Sequence, residues 1–493
     1  MTNIGTFVVS IDAGTSSVRS LLFDKLGNQV EGCGDQLTYD ITTTPDGGVE
    51  VDPDTLFDLT IRTLTTLHRQ LQASGHKPAA VGMSAFWHSF LGVDQTGHPT
   101  TPILHLFDTR STGAVTELKA KFDEARVHAR TGCPIHTSYW PAKLLWLHSA
   151  RPEQFAATAR WMSFGEYLFL RLFGAPALSV SMASGSGIWN QRDNCYDPEM
   201  LAALPVRTEQ LFPVEQMDQP AQGLLPPYRA EWPLFDGIPW FPAYGDGACN
   251  NAGSGCVSRD TFSLMVGTSG AMRAVVGDAR LETSAGLWCY RVDRQRYLLG
   301  GALSNGGEVY AWMKRNLNLG NEAALEGALA SRQPGSHGLV VLPFFAGERS
   351  PYWRADLRAA ITGLNLATQP IDMLQAALES VALRFAEIYR LMCDSTGAPA
   401  RVIASGGALL HSPAWTQMMA DSLGAPVVAS VEHEASSRGA ALLVLERLGV
   451  LGNIAGAPVR TGKMFEPRPG NHAIYQRLLG EQQRLYSKLF VEN

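Results

Sequence analysis

The stretch "VVSIDAGTSSVRSLLFD", residues 8–24, decides how the chain is read. Two mainly apolar runs, TFVVSID (6–12) and VRSLLFD (18–24), flank a short turn, AGTSS. In the second run Val18, Ser20 and Leu22 alternate with Arg19, Leu21 and Phe23, the two-residue period of a strand. The stretch therefore predicts a hairpin whose turn carries a carboxylate, Asp12, followed by Gly14, Thr15, Ser16 and Ser17. Glycine beside hydroxyls allows several backbone amides to converge on a phosphate. The spacing is not GxxxxGK[ST], and a strand rather than a helix follows, so this is not a P-loop. Asp12 would repel a phosphate unless a cation stood between them, and Mg²⁺ with water ligands is the usual mediator. Arg19, on the second strand, is in position to face the same cleft.

Outward from this hairpin, KLGN makes a further turn into QVEG, giving a β-meander. Asp52 is the expected N-cap of a helix with Pro53 at its first position, and Leu56, Leu59, Ile61, Leu64 and Leu67 follow at helical spacing. A short strand, 79–84, comes next, so the order β-β-β-α-β predicts a mixed sheet. A similar phrase returns in DTFSLMVGTSGAMRAVVGD (260–278), with Gly267, Thr268, Ser269 and Gly270 at the turn. QRYLLGGALSNGG then reads as a strand and EVYAWMKRNL as a helix. Residues 371–393 form a strong amphipathic helix, and RVIASGGALL reads as strand, Gly406–Gly407 turn and helix. The chain's 493 residues exceed one ordinary core. The recurrence predicts a duplicated domain with two phosphate-facing turns. The division is expected at residue 245, giving domains 1–245 and 246–493, with the Pro-rich stretch 219–242 as the best candidate linker.

Composition excludes several classes. Hydrophobic residues make up 45% and charged residues 17%, a globular balance. The net charge of −6 argues against a nucleic-acid surface and gives no attraction to anionic lipid. No run approaches the roughly 18 apolar residues a membrane span needs. MTNIGTFVVSIDAG has neither the basic nor the apolar region of a signal peptide. The seven cysteines are odd in number and spread out, and the spacing of Cys249 and Cys256 suits no common zinc site. Free thiols in a reducing cytoplasm are expected.

Further candidates are weaker one by one. Asp246, between Gly245 and Gly247 after an apparent strand, suits a general base, though an Asp–Gly turn is the plainer reading. Trp87 and His88 after one strand, with Asp108 and Arg110 in FDTR, fit a site for a polyhydroxyl ligand, though packing explains such residues more often. Gly406 and Gly407 before a helix expose backbone to which a nucleotide could come close. In AGERSPYW, Glu348 and Arg349 read as an internal ion pair rather than as chemistry.

In order and spacing, these segments resemble the FGGY carbohydrate kinase family of the actin-like ATPase superfamily. SIDAGTSSVRSLLFD, SAFWHSFLGVD, TGCPIHTSYWPAKLLWL, YGDGACNNAGSG, VGTSGAMR, GGALSNGGEVYAWM, LPFFAGERSPYW, ASGGALLHSPAWTQMMADSLGAPV and EASSRGAAL carry the resemblance over nearly the whole chain. Within the family the chain is most similar to gluconokinases, since YGDGACNN has Gly after Asp where glycerol kinases carry Gln, and WHS, TGCPIH and GGALSNGG lean the same way. The resemblance implies an α/β fold of two actin-like (ribonuclease H-like) domains with a nucleotide cleft between them. It implies ATP-dependent phosphorylation of a terminal hydroxyl, with gluconate as acceptor. Xylulose, ribulose or a tetritol is the alternative acceptor, and an inactive sugar-binding protein the alternative function. A chaperone would need a further substrate domain, and a regulator an initial DNA-binding helix pair.

The resemblance also assigns roles. Asp12 serves Mg²⁺; Gly14, Thr15 and Ser16, with Arg19 beside them, form the first phosphate motif; Gly267, Thr268 and Ser269 form the second. Gly406, Gly407 and Ala408 match the adenosine motif, Asp246 the catalytic base that also touches the sugar, and Trp87 with His88 the sugar segment. His88, Arg110 and Lys143 are the candidates to pair a substrate carboxylate. Leu106 stands where the family has Trp, Ser179 where it has Asp, and Trp140 where a small residue is usual. The expected partner is a small sugar or sugar acid, with no nucleic acid and no membrane. A homodimer is left open.

Overall fold

The opening stretch folds as its period predicts. The computed structural model describes residues 6–277 and 281–492, so the first residues of the N-terminal segment and Asp278 lie outside the described residues. Strands β1 (Phe7–Ala13) and β2 (Ser17–Phe23) pair antiparallel, with Asp12 opposite Arg19. Their turn is closed by the Gly14 amide donating to the Ser17 carbonyl at 3.0 Å. Strand β3 (Gln29–Thr38) completes the meander. Helix α1 (Pro53–Ser74) starts where expected, with the Asp52 carboxylate accepting from the Thr55 amide at 2.6 Å. Its buried Leu56, Phe57, Leu64, Leu67 and Leu71 cover the sheet, each such side chain contributing about 1.5–3 kcal/mol by leaving water. Strand β4 (Pro78–Ala85) runs parallel to β1, and the short β5 (Tyr244–Gly245) parallel to β4. The sheet order is β5-β4-β1-β2-β3. Helix α2 (Asp246–Gly253) follows β5 directly. The excursion between β4 and β5 is largely helical and has its own apolar cluster around Phe90, Leu144, Leu147 and Trp161.

The second half repeats the plan. Strands β6 (Thr261–Val266) and β7 (Gly270–Val276) form the second hairpin, followed by β8 (Trp288–Arg291), β9 (Tyr297–Leu303) and helix α3 (Gly307–Asn316). Helix α4 (Pro370–Thr396) leads to β10 (Arg401–Ser405), the one-turn α5 (Gly407–Leu410) and β11 (Val427–Ser430). Helix α6 (Ala435–Arg447) and β12 (Thr461–Phe465) come last among the elements that bear on the cleft. The sheet order is β8-β9-β7-β6-β10-β11-β12. The registers correspond: Asp12 stands opposite Ser84 across β1 and β4, and Met265 opposite Ser405 across β6 and β10.

Two features join the halves. Helix α6 comes late in the chain yet packs on β1 and β4, with Ala440–Leu445 buried in the first core. It crosses α2 at glycines: a Cβ on Gly439 would lie 1.8 Å from the Cys249 carbonyl oxygen, and one on Gly253 1.8 Å from that of Ala435. The Pro-rich stretch 219–242, the candidate boundary, is packed. Trp232, Phe235 and Trp240 are buried in the first core, and Ala221 and Trp240 exchange backbone hydrogen bonds at 2.9 Å, so it is a packed wall rather than a loose linker. Among the described residues no helix is long and apolar enough to cross a membrane, and all seven cysteines are free thiols.

Candidate active site

The two hairpin turns face one cavity of about 420 Å³ between the halves. Thr15 and Ser16 line one lip and Gly267, Thr268 and Ser269 the other, with Trp87, His88 and Asp246 in the wall between them. The second turn is locked by the Gly267 amide donating to Ser269 at 2.9 Å, and the Gly307 amide at the start of α3 donates to Gly267 at 2.7 Å. Gly406, Gly407 and Ala408 sit next to this turn. Gly406 has φ +87°, and a Cβ there would stand 2.3 Å from the Val266 carbonyl oxygen, so only glycine fits. A Cβ on Gly307 would come 3.0 Å from that of Ala408, which places the three residues beside the second turn.

Asp246 begins α2, and its carboxylate accepts from the Gly247 amide at 2.7 Å and from the Trp87 amide. Burial pushes its carboxyl above the usual aspartate value, and the Arg273 guanidinium pulls it partway back. Gly245 and Gly247 have no side chains because the Trp87 indole lies over them; a Cβ on Gly245 would stand 1.8 Å from the ring. The indole is fixed by donating to the Ser181 carbonyl at 2.9 Å.

His88 has φ +68°, uncommon for a side chain of its size. Its Nδ1 lies 2.6 Å from the Gly185 carbonyl, which can only accept, so Nδ1 carries the proton and Nε2 is left as an acceptor. Burial lowers His88 to about 3, so the ring is neutral. Tyr139 and Tyr290, one from each half, complete this end of the cleft through a 2.6 Å hydroxyl–hydroxyl bond.

Asp12 lies just behind the first turn, nearly buried. Burial raises its carboxyl to about 6 against the pull of Arg19. Arg19 stands 3.8 Å from Asp12 but is bonded to Glu434, so it is shared with a second carboxylate rather than turned to the cavity. A buried carboxylate with a half-committed counter-ion suits a hard cation, and Mg²⁺ needs only one or two protein carboxylates when phosphates and water supply the rest.

Several expectations change. Arg110 is tied to Asp108 at 2.5 Å and Glu50 at 2.6 Å and stacks on Trp146, away from the cleft lining. Lys143 is fully buried, donates to the Ser138 carbonyl at 3.0 Å, and is lowered to about 7 by burial. Neither reaches the cavity as a free cation. Glu348 pairs with Arg384 at 2.7 Å, not with Arg349, and Arg349 lines the cavity. Arg273, Tyr290 and Trp353 also line it and were not singled out; only the GTSGAMR context hinted at Arg273. Of the unusual residues, Leu106 lines the cavity. Ser179 instead caps the helix Val180–Ser184, accepting from Met182 at 3.0 Å and donating to the Ala243 carbonyl at 2.5 Å. Trp140 packs on Phe90, with ring centres 4.9 Å apart.

Two sheets of matching register, with a glycine–hydroxyl turn from each on a shared cleft, define the actin-like, ribonuclease H-like class. Family models described as the N-terminal and C-terminal domains of the FGGY family of carbohydrate kinases match residues 7–253 and 263–445. The chain belongs to that family and is a phosphotransferase with an alcohol group as acceptor; the family implies ATP as donor. It is 25% identical over 475 residues to a gluconokinase of Bacillus subtilis (strain 168), covering 94% of this chain and 92% of that one. A crystal structure of gluconate kinase from Lactobacillus acidophilus matches with a TM-score of 0.91 at 27% identity, covering 99% of both chains. A ligand-bound xylulose kinase structure from the same organism matches with the same TM-score, identity and coverage.

Proposed function

We propose that the protein phosphorylates gluconate at its terminal hydroxyl, giving 6-phosphogluconate, with ATP as donor and Mg²⁺ as its companion. The observation that carries this reading is the placement of Asp246 in one cavity with both glycine–hydroxyl turns and the Trp87–His88 wall. The gluconokinase relatives support the choice of sugar.

In this reading Asp246 accepts a hydrogen bond from the attacking hydroxyl and aims it. A carboxylate is too weak a base to strip an alcohol early, but in a loose phosphoryl-transfer transition state the proton can leave late. The oxygen–phosphorus bond to the acceptor forms as the bond to the leaving diphosphate breaks, and the acceptor proton passes to Asp246. The amides of residues 15–16 and 268–269 hold phosphate oxygens, since those of Gly14 and Gly267 are used to close the turns, and residues 406–408 border the nucleoside. Asp12 would hold Mg²⁺, which when bound neutralises charge on the phosphates. His88 Nε2 accepts from a sugar hydroxyl. The halves, divided near residue 245, close to exclude water. The free thiols suit a cytoplasmic enzyme.

A ketopentose kinase is the second reading, because the xylulose kinase structure matches equally well. An ADP-release assay across gluconate, xylulose, ribulose, glycerol, fuculose and erythritol tests both. Gluconate is expected to give the highest kcat/KM. Faster turnover of xylulose would replace the acceptor, and no turnover of any would leave a sugar-binding protein.

A further inference from the structure

Three basic side chains line the cavity among the described residues: His88, Arg273 and Arg349. His88 is neutral. Arg273 has the Asp246 carboxylate as its electrostatic partner, so its charge is used at the reacting end. Arg349 differs. Neither arginine has a carboxylate within ion-pair distance among the described residues, but Asp246 still acts on Arg273, whereas no carboxylate acts on Arg349, and the neighbouring Glu348 is spent on Arg384. Its Nη2 donates to the Leu303 carbonyl at 2.8 Å, while its Nε is shielded from solvent and has no partner. It shares the cavity with Tyr139, Tyr290 and Trp353, aromatic walls that cannot balance its charge. A guanidinium with a shielded, unpartnered Nε and no anion is costly, and a carboxylate offers its fork two matched acceptors.

We infer that Arg349 binds the carboxylate of the acceptor and so selects a sugar acid over a neutral sugar. This rests on the gluconate reading. The positive charge of Arg273 acts on Asp246, and that of Arg349 acts on His88 in the sugar wall. A six-carbon acid whose terminal hydroxyl meets Asp246 has its carboxylate at its other end, and in this inference Arg349 receives it. The acceptor is then read by both halves: Trp87 and His88 from the first, Arg349 from the second.

The test compares gluconate with glucitol, the same carbon chain bearing CH₂OH in place of the carboxylate. The readout is the ratio of kcat/KM for acid to kcat/KM for neutral chain, in the wild type, Arg349→Gln and Arg349→Lys. Arg349→Gln is expected to lower the ratio about 100-fold or more, the scale on which sites built around a polar group reject its absence. Arg349→Lys is expected to recover part of it, because it restores charge without the fork. Equal loss on both substrates in Arg349→Gln would overturn the role of Arg349 while leaving gluconate as substrate. A wild type that phosphorylates xylulose or glucitol but not gluconate would overturn the substrate and this inference together. If Arg349→Gln does not fold by circular dichroism, calorimetric gluconate binding to Arg349→Lys decides: affinity equal to wild type overturns the inference, and a tenfold or greater loss with nucleotide affinity retained supports it.

Discussion

At Asp246 two amides and a guanidinium stabilise the charged form against burial that opposes it, and the balance leaves the carboxyl above the ordinary aspartate value of 3.8. Asp246→Asn keeps the shape and loses the acceptor. It is expected to fold normally and lose about 10² or more in kcat, which steady-state kinetics beside circular dichroism would check; near-normal turnover would remove Asp246 from the chemistry. The ionised form is the active one, so activity is present above its pKa and lost as pH falls through it. With nucleotide and Mg²⁺ saturating, so that Asp12, raised to about 6 in the free protein, is held ionised, the acid limb of kcat/KM for the sugar should therefore lie above pH 3.8, move in Asp246→Glu and stay in place in His88→Asn, because His88 is already neutral above about 3. Asp12, Asp246, Trp87 and both turns could be read from the sequence because each carries its own local signal of glycine, hydroxyl or strand end. Arg349 could not be read as a cavity residue. Its neighbour Glu348 looked like its partner, and the true partner, Arg384, stands on a helix 36 positions away. Arg110 and Lys143 misled in the opposite direction: their charges are spent on Asp108, Glu50 and the Ser138 carbonyl, partners that only the fold brings close.

At the scale of elements, strands and helices followed their periods closely, since β1, β2, α1, β6, β7 and α4 are held by local pattern and caps. The crossing of α2 and α6 was invisible, because nothing near residues 249 or 439 in the sequence announces the other. It is also where a small change should act. Gly439→Ala places a Cβ against the Cys249 backbone, which cannot swing aside as a side-chain end can. The expected cost is about 1–3 kcal/mol, read from chemical denaturation, as for other overpacked sites; unchanged stability would mean the helices part without strain. The same scale shows how the duplicate halves diverged. By register Met265 occupies the place of Asp12, and Ser405 that of Ser84; Gly406–Gly407–Ala408 and Ala85–Phe86–Trp87 follow these serines in sequence. One half thus has a carboxylate and an aromatic wall where the other has a thioether and bare backbone.

For the molecule as a whole, the cavity is complete only when both lips are present, one from each half. Hydrolysis of ATP without sugar should then be slow, and small-angle scattering should show a smaller radius of gyration with sugar and a non-hydrolysable nucleotide together than with neither; an unchanged radius would argue against closure. The helix crossing gives this motion a further consequence. Asp246 is the first residue of α2, and α2 is the helix that α6 crosses at Gly253 and Gly439. If closure turns on this crossing, the pivot and the proposed base belong to one helix. Any ligand that favours the closed arrangement does so for both sites at once. Linkage then requires the factor by which sugar tightens nucleotide binding to equal the factor by which nucleotide tightens sugar, however different the two surfaces are.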